Sequence, residues 1–266
     1  MAPVVALQRP VPCEANMIRQ GELYADLSHY YDRFCAHIDY QAQSDFARRA
    51  YALFCGAPSR DYLDLACGSG QHLRHMLEHG FTGTGLDNSA AMLDLAKARC
   101  PTAQFELSDM AALTHVEAFD LVTCFLYSLH YSHPVSSLQQ TLRGVWRALK
   151  PGGVFLCNAV DAAGIRNDAG ITTELSDGDA QLHFQSAWYY RGEGEVLDLN
   201  LRITRSSPEG TQEWRDQHRM TALSIPTLKA WLEDCGFSVE LLEHDYEALL
   251  PWDGQSHNVL VVALKA

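Results

Sequence analysis

A short apolar strand that runs straight into a glycine turn limits what this chain can fold into more than any other feature. Tyr62-Leu63-Asp64-Leu65-Ala66 reads as a buried strand, and Cys67-Gly68-Ser69-Gly70 follows without a spacer. A helix is expected from about Gln71 to His79, stopped by Gly80, and a second strand from Phe81 to Leu86 closes on Asp87. Glycines between a strand and a helix let backbone approach a ligand and present the free amides of the helix start. A carboxylate at the end of the next strand can take both hydroxyls of a ribose.

The rest of the first 160 residues keeps this rhythm. Two helices between Leu23 and Cys55, broken near Ile38-Asp39-Tyr40, precede the first strand. Ser89 caps a helix from Ala90 to Arg99, and Gln104 to Leu107 gives a third strand. Phe119 to Phe125 is the fourth and most apolar strand. A helix from Ser136 to Leu149 stops at Lys150-Pro151-Gly152-Gly153, and Val154 to Val160 is the fifth strand. Strand and helix in alternation predict a parallel sheet covered on both faces. Between Asp161 and Met220 the pattern becomes alternation of polar and apolar residues with turns between the runs, the signature of antiparallel strands. The expected division is an N-terminal arm over 1–22, a nucleotide-binding domain over 23–160 and 221–266, and an inserted antiparallel cap over 161–220.

A dinucleotide fold would carry a third glycine on the first helix, to let it close on a pyrophosphate. Leu73 stands there, which favours S-adenosylmethionine (SAM), a nucleoside without phosphate. Asp109, after the third strand, could meet the adenine amino group, or could be an ordinary turn residue. Asp64 to Gly70, Gly85-Leu86-Asp87, Ser108-Asp109-Met110 and Leu149 to Gly153 together resemble the ordered motifs of class I SAM-dependent methyltransferases. The resemblance covers Leu23 to Val160 and the closing helix and strands. The β-rich insertion is similar to that of sugar-amine N,N-dimethyltransferases and glycine N-methyltransferases. The resemblance implies a Rossmann-like seven-stranded, mostly parallel α/β sheet with helices on both faces, its last strand antiparallel, and an inserted antiparallel β cap. It implies a cofactor site of Ala66, Gly68, Asp87, Met92, Asp109, Met110 and Phe125, joined by the N-terminal tyrosines Tyr31 and Tyr40.

Methyl transfer needs alignment in a dry pocket, and a base only when the acceptor arrives protonated. The loop after the fourth strand, Leu126 to His133, offers His130 as general base, with Tyr31 and Tyr127 as further candidates on the catalytic face. Tyr24, Tyr30, Tyr131, Trp188, Tyr189, Tyr190 and Trp214 could line a chamber that attracts a sulfonium or an amine. The Asn/Asp-Pro-Pro-Tyr/Phe sequence of adenine and amide methyltransferases is absent. His72, His75 and His79 share a helix face expected to look at solvent, with no acid or thiol beside them, so no metal site is expected.

Composition excludes other classes. The net charge of −13 disfavours nucleic acid and anionic membrane as partners. Eight cysteines without a CxxC pair read as core residues of a reducing, cytoplasmic compartment. The first thirteen residues read as a loose arm without a signal peptide, and no apolar run reaches membrane-spanning length. The expected function is methyl transfer from SAM to a small amine or hydroxyl acceptor. Two alternatives stand beside it: SAM as sole substrate, cyclised to azetidine-2-carboxylate with loss of methylthioadenosine, and SAM binding without turnover. The sequence leaves monomer and homodimer both open.

Overall fold

The computed structural model describes residues 17–20, 23, 24, 27–55 and 59–266. The loose arm expected over Met1–Cys13 lies outside them. The expected arm extended to residue 22, but Met17–Gln20 forms a strand, β1.

Helices α1 (Ser28–Phe34) and α2 (Tyr40–Phe54) follow, with the Asp39 side chain accepting the Ala42 amide at the start of α2. The alternating half then runs β2 (Asp61–Leu65), α3 (Gln71–Glu78), β3 (Thr82–Asp87), α4 (Ala90–Arg99), β4 (Gln104–Leu107), β5 (Phe119–Cys124), α5 (Val135–Ala148) and β6 (Leu149–Val160). The segment Lys150 to Gly153, expected to end the helix, is already the start of β6. Pro151 has no amide for a helix, and Gly152 takes a left-handed turn at φ 77°.

Strands β7 (Ile171–Asp177), β8 (Ala180–Tyr190), β9 (Val196–Ser207) and β10 (Gly210–Thr221) form an antiparallel meander, separate from the main sheet. The β1 strand adds to its edge in parallel with β10, Met17 opposite Gln212 through Gln20 opposite Arg215. The chain returns to the core through α6 (Ile225–Asp234), β11 (Phe237–Glu243) and β12 (Asn258–Lys265).

The seven-stranded sheet has the order β11-β12-β6-β5-β2-β3-β4, with β12 antiparallel to both neighbours. This is the mostly parallel Rossmann-like sheet with one reversed strand that the family resemblance implies. One face packs on α5 and α6 through Leu63, Val122, Leu142 and Val261, and the other on α2 and α3 through Phe46, Tyr62, Met76 and Leu156. Strand order reverses direction between β2 and β5, the position where open α/β sheets form a crevice.

Leu73 has a use the third glycine could not serve. A Cβ on Gly83 would lie 2.5 Å from Leu73 Cδ1, and one on Gly85 3.2 Å from Leu73 Cδ2 and 2.8 Å from Cys67 Sγ. Here β3 carries the glycines and α3 the bulk, so helix and strand still approach closely. Among the described residues no helix is long and apolar enough to cross a membrane.

Candidate active site

Two connected cavities open at the carboxyl ends of β2, β3 and β5. The larger, about 250 Å³, has Leu86, Asp87, Met92, Asp109 and Met110 along the core side. Tyr24, Tyr131 and His218 line it as well, so the N-terminal segment and the second sheet form part of its wall. The smaller, about 20 Å³, is lined by Tyr40, Asp64, Gln71, His72 and Phe125. Tyr31, Ala66, Gly68 and Ser128 line both, and so form the waist between them. All nine residues expected at the cofactor line one cavity or the other.

Local backbone explains the shape. Ala66, Gly68 and Gly70 all take positive φ (54°, 54° and 80°), turning the chain sharply out of β2 and into α3. Only Gly70 and Gly68 have that freedom at no steric cost, and Ala66 holds a conformation L-residues rarely adopt. A Cβ on Gly68 would come 3.5 Å from Met92 Cε and 3.9 Å from Tyr31 Cε1, filling the waist. The turn is latched to α1: Ser69 Oγ donates to Asp32 Oδ1 at 2.5 Å, and Arg99 bridges Asp32 and the Ser69 carbonyl.

Asp87 accepts the Gly68 amide at 2.8 Å with Oδ2 and the Ser89 amide at 2.9 Å with Oδ1. Burial raises its pKa, and these amide bonds partly offset the rise. Asp109 lines the cavity while Oδ1 caps the next turn through the Ala111 amide at 2.7 Å. It is therefore both turn residue and cavity wall.

Asp64 heads the Asp64 to Gly70 motif without a role of its own in the sequence reading, and it lines the smaller cavity. Thr123 donates to its Oδ1 at 2.9 Å, while Oδ2 is buried without a hydrogen-bond partner. Burial pushes its pKa up to about 7. The Tyr40 hydroxyl is likewise buried and unpartnered. A lone carboxylate oxygen and a lone hydroxyl lining one small cavity suit a polar, cationic group such as an ammonium.

Three expectations are corrected. His130 lines none of these cavities: it is fully buried, with Nδ1 2.9 Å from the Thr221 carbonyl and Nε2 accepting the Val160 amide at 3.2 Å. Burial, opposed only by the Thr221 bond, lowers its pKa to about 4. It is a neutral strut that ties the loop after β5 to the ends of β6 and β10. Tyr127 also lines neither cavity. It lies beside His244 and Trp188, ring centroids 5.8 and 5.0 Å away, because its φ of 60° turns it aside. His72 faces inward, 2.7 Å from Gln43 Oε1, and burial lowers its pKa to about 3. His75 and His79 reach Glu78 and Asp45 instead, and no group of metal-ligating side chains occurs among the described residues.

Residues 63–153 match the methyltransferase domain family. The chain carries a class I SAM-dependent methyltransferase domain. A dTDP-4-amino-2,3,4,6-tetradeoxy-D-glucose N,N-dimethyltransferase of Saccharopolyspora spinosa is 25% identical over 247 residues, covering 85% of this chain and 94% of that protein. A dTDP-3-amino-3,6-dideoxy-alpha-D-glucopyranose N,N-dimethyltransferase of Streptomyces fradiae is 26% identical over 191 residues, covering 68% and 71%. Among solved structures, a sugar N-methyltransferase from Streptoalloteichus superposes with a TM-score of 0.75 at 22% identity, over 99% of both chains. A SAM-bound amino pentose methyltransferase from Micromonospora echinaspora gives 0.74 at 20%, over 93% of this chain and all of that one. The methyltransferase is thus a SAM-using enzyme, and these comparisons give the cyclisation alternative no support.

Proposed function

We propose that this methyltransferase transfers the methyl group of SAM to the amine nitrogen of a small acceptor, of the amino-sugar class. The observation that carries this reading is the waist at Tyr31 and Gly68, which lies between a small polar cavity and a nucleoside-sized one walled in part by His218 of the second sheet. Such an enclosure suits a small acceptor and leaves little room for a folded macromolecule. The relatives named for amino-sugar substrates support the amine over the hydroxyl.

The cavity residues divide the work. Asp87 would take the ribose hydroxyls, while Asp109, Met92 and Met110 would hold the adenine. Asp64 and Tyr40 would take the ammonium of the methionine end, and Tyr31 would bound the centre. When bound, SAM supplies an electrophilic methyl on a sulfonium. Tyr24, Tyr31 and Tyr131 present aromatic and hydroxyl surface there and exclude water, so alignment supplies most of the rate. The acidic surface argues against nucleic acid as a partner, and the free cysteines support a reducing, cytoplasmic setting.

The test pairs dTDP-linked amino sugars with the same sugars bearing a hydroxyl, scoring S-adenosylhomocysteine release by mass spectrometry. Release with the amine and not with the alcohol is expected. Release with the alcohol alone, or with neither, contradicts the proposal.

A further inference from the structure

A continuous hydrogen-bonded chain runs from the larger cavity into the second sheet. Tyr24 and Tyr131 hydroxyls are 2.9 Å apart, Tyr131 Oη is 2.9 Å from His218 Nδ1, and His218 Nε2 is 2.8 Å from Asp216 Oδ2. The Leu23 amide donates to the same Asp216 oxygen at 3.0 Å. Tyr24 also stacks on His218, ring centroids 5.1 Å apart. Asp216 and His218 are two apart on β10, so strand alternation puts both on the face toward the N-terminal segment.

The geometry sets the direction of every bond. Nε2 faces a carboxylate, which can only accept, so the ring proton sits on Nε2. Nδ1 must then accept from the Tyr131 hydroxyl, whose oxygen accepts in turn from Tyr24. A lone pair of the Tyr24 oxygen remains for a donor in the cavity that Tyr24 lines. We propose that Tyr24, Tyr131, His218 and Asp216 form a proton relay that deprotonates the ammonium of the acceptor before methyl transfer. This inference rests on the amine reading of the same site.

The step balances. One N–H bond of the acceptor breaks and its proton forms an O–H bond on Tyr24. The Tyr24 proton passes to Tyr131, the Tyr131 proton to His218 Nδ1, and the electron pair stays on the acceptor nitrogen as its nucleophile. The resulting imidazolium is paired with Asp216. Burial would raise the Asp216 pKa, but the His218 bond and the Leu23 amide outweigh it, and it is lowered. Burial raises Tyr24 and Tyr131 above the ordinary phenol range, so neither is a standing phenolate and both serve as carriers. Other groups facing the chain are Cys35 and Asp87, with Tyr31 beside Tyr24 at 5.6 Å between centroids. Across from His218, β9 offers the apolar Leu199. Tyr24 is the group that meets the acceptor, and the other three position it and store the proton.

The experiment measures kcat/KM against pH with an amino-sugar acceptor for wild type, His218→Gln and Tyr24→Phe, with SAM affinity by calorimetry. Loss of the relay should cost about 100-fold at pH 7. The deficit should close as pH approaches the acceptor's own pKa, where bulk water deprotonates it. A merely structural defect would lower the rate equally at every pH, and that outcome, or no loss at all, overturns the relay. A second readout needs no turnover: ¹⁵N spectra should show His218 as the Nε2–H tautomer. The Nδ1–H tautomer would reverse the chain and overturn it. A wild type that binds SAM but methylates no amine at any pH removes the amine reading itself, and the relay with it.

Discussion

Asp64, next to last in β2, has one oxygen held by Thr123 and the other unpartnered at the small cavity, and its raised pKa makes it a pH-sensitive ligand. Ionisation should be required for it to hold an ammonium. SAM affinity should therefore fall about tenfold per pH unit as pH drops below about 7, and Asp64→Asn should bind weakly without that dependence. The sign for folding is opposite. A carboxyl whose folded pKa is raised is most favourable while protonated, so its stabilisation is complete below the unfolded value and lost as pH rises through about 7. Unliganded Asp64→Asn should accordingly gain stability over wild type at pH 8 and little at pH 4, read by denaturant unfolding. His130→Ala should lose about 2–4 kcal/mol of folding stability at pH 7, since it vacates a packed site and strips partners from Thr221 and Val160. Normal stability with slowed turnover would return His130 to a catalytic role. Gly68 and Asp87 were readable because a turn and a strand end fix where they point. His130 was not: its partner Thr221 is 91 residues away, and a helix-forming loop says nothing about which distant carbonyl will cover it.

At the level of elements, α1 and the glycine turn hold each other through Asp32, Ser69 and Arg99. Releasing that latch with Asp32→Ala should weaken SAM binding about tenfold by loosening Tyr31 at the waist. Unchanged calorimetric affinity would make the latch irrelevant to the site. The α3 and β3 pair rests on Leu73 against Gly83 and Gly85. Gly85→Ala should cost about 1–3 kcal/mol, because its neighbours Cys67 and Leu73 are both within 3.2 Å of the added carbon. Strand and helix identity was legible from periodicity throughout the alternating half. The β1 strand was missed because four residues carry no pattern of their own, and their pairing with β10 spans almost two hundred positions. The Asp216 and His218 pair did leave a signal, two polar residues two apart on one face of a strand whose other inward residues include Trp214 and Met220.

For the whole molecule, the second sheet matters as a wall. Its inner face packs on Leu23, Leu27 and the α1 aromatics, bringing His218 to the cavity at the carboxyl ends of the main sheet. Return to the core is stitched by Asp161, which accepts the Ile225 amide at 3.0 Å and the Ala163 amide at 2.9 Å. The parallel sheet with helices on both faces could be anticipated from the alternation of strand and helix, and the reversed strand only from the family resemblance. The junction of the two sheets could not, because it depends on side chains meeting across the fold. A crystal structure with S-adenosylhomocysteine tests the account most directly. The ribose hydroxyls should lie on Asp87, the adenine against Asp109 and Met110, and the amino group on Asp64, with Tyr31 between them. A nucleoside found instead in the open groove of about 650 Å³ beside Asp161, Tyr190 and Trp231 would contradict it.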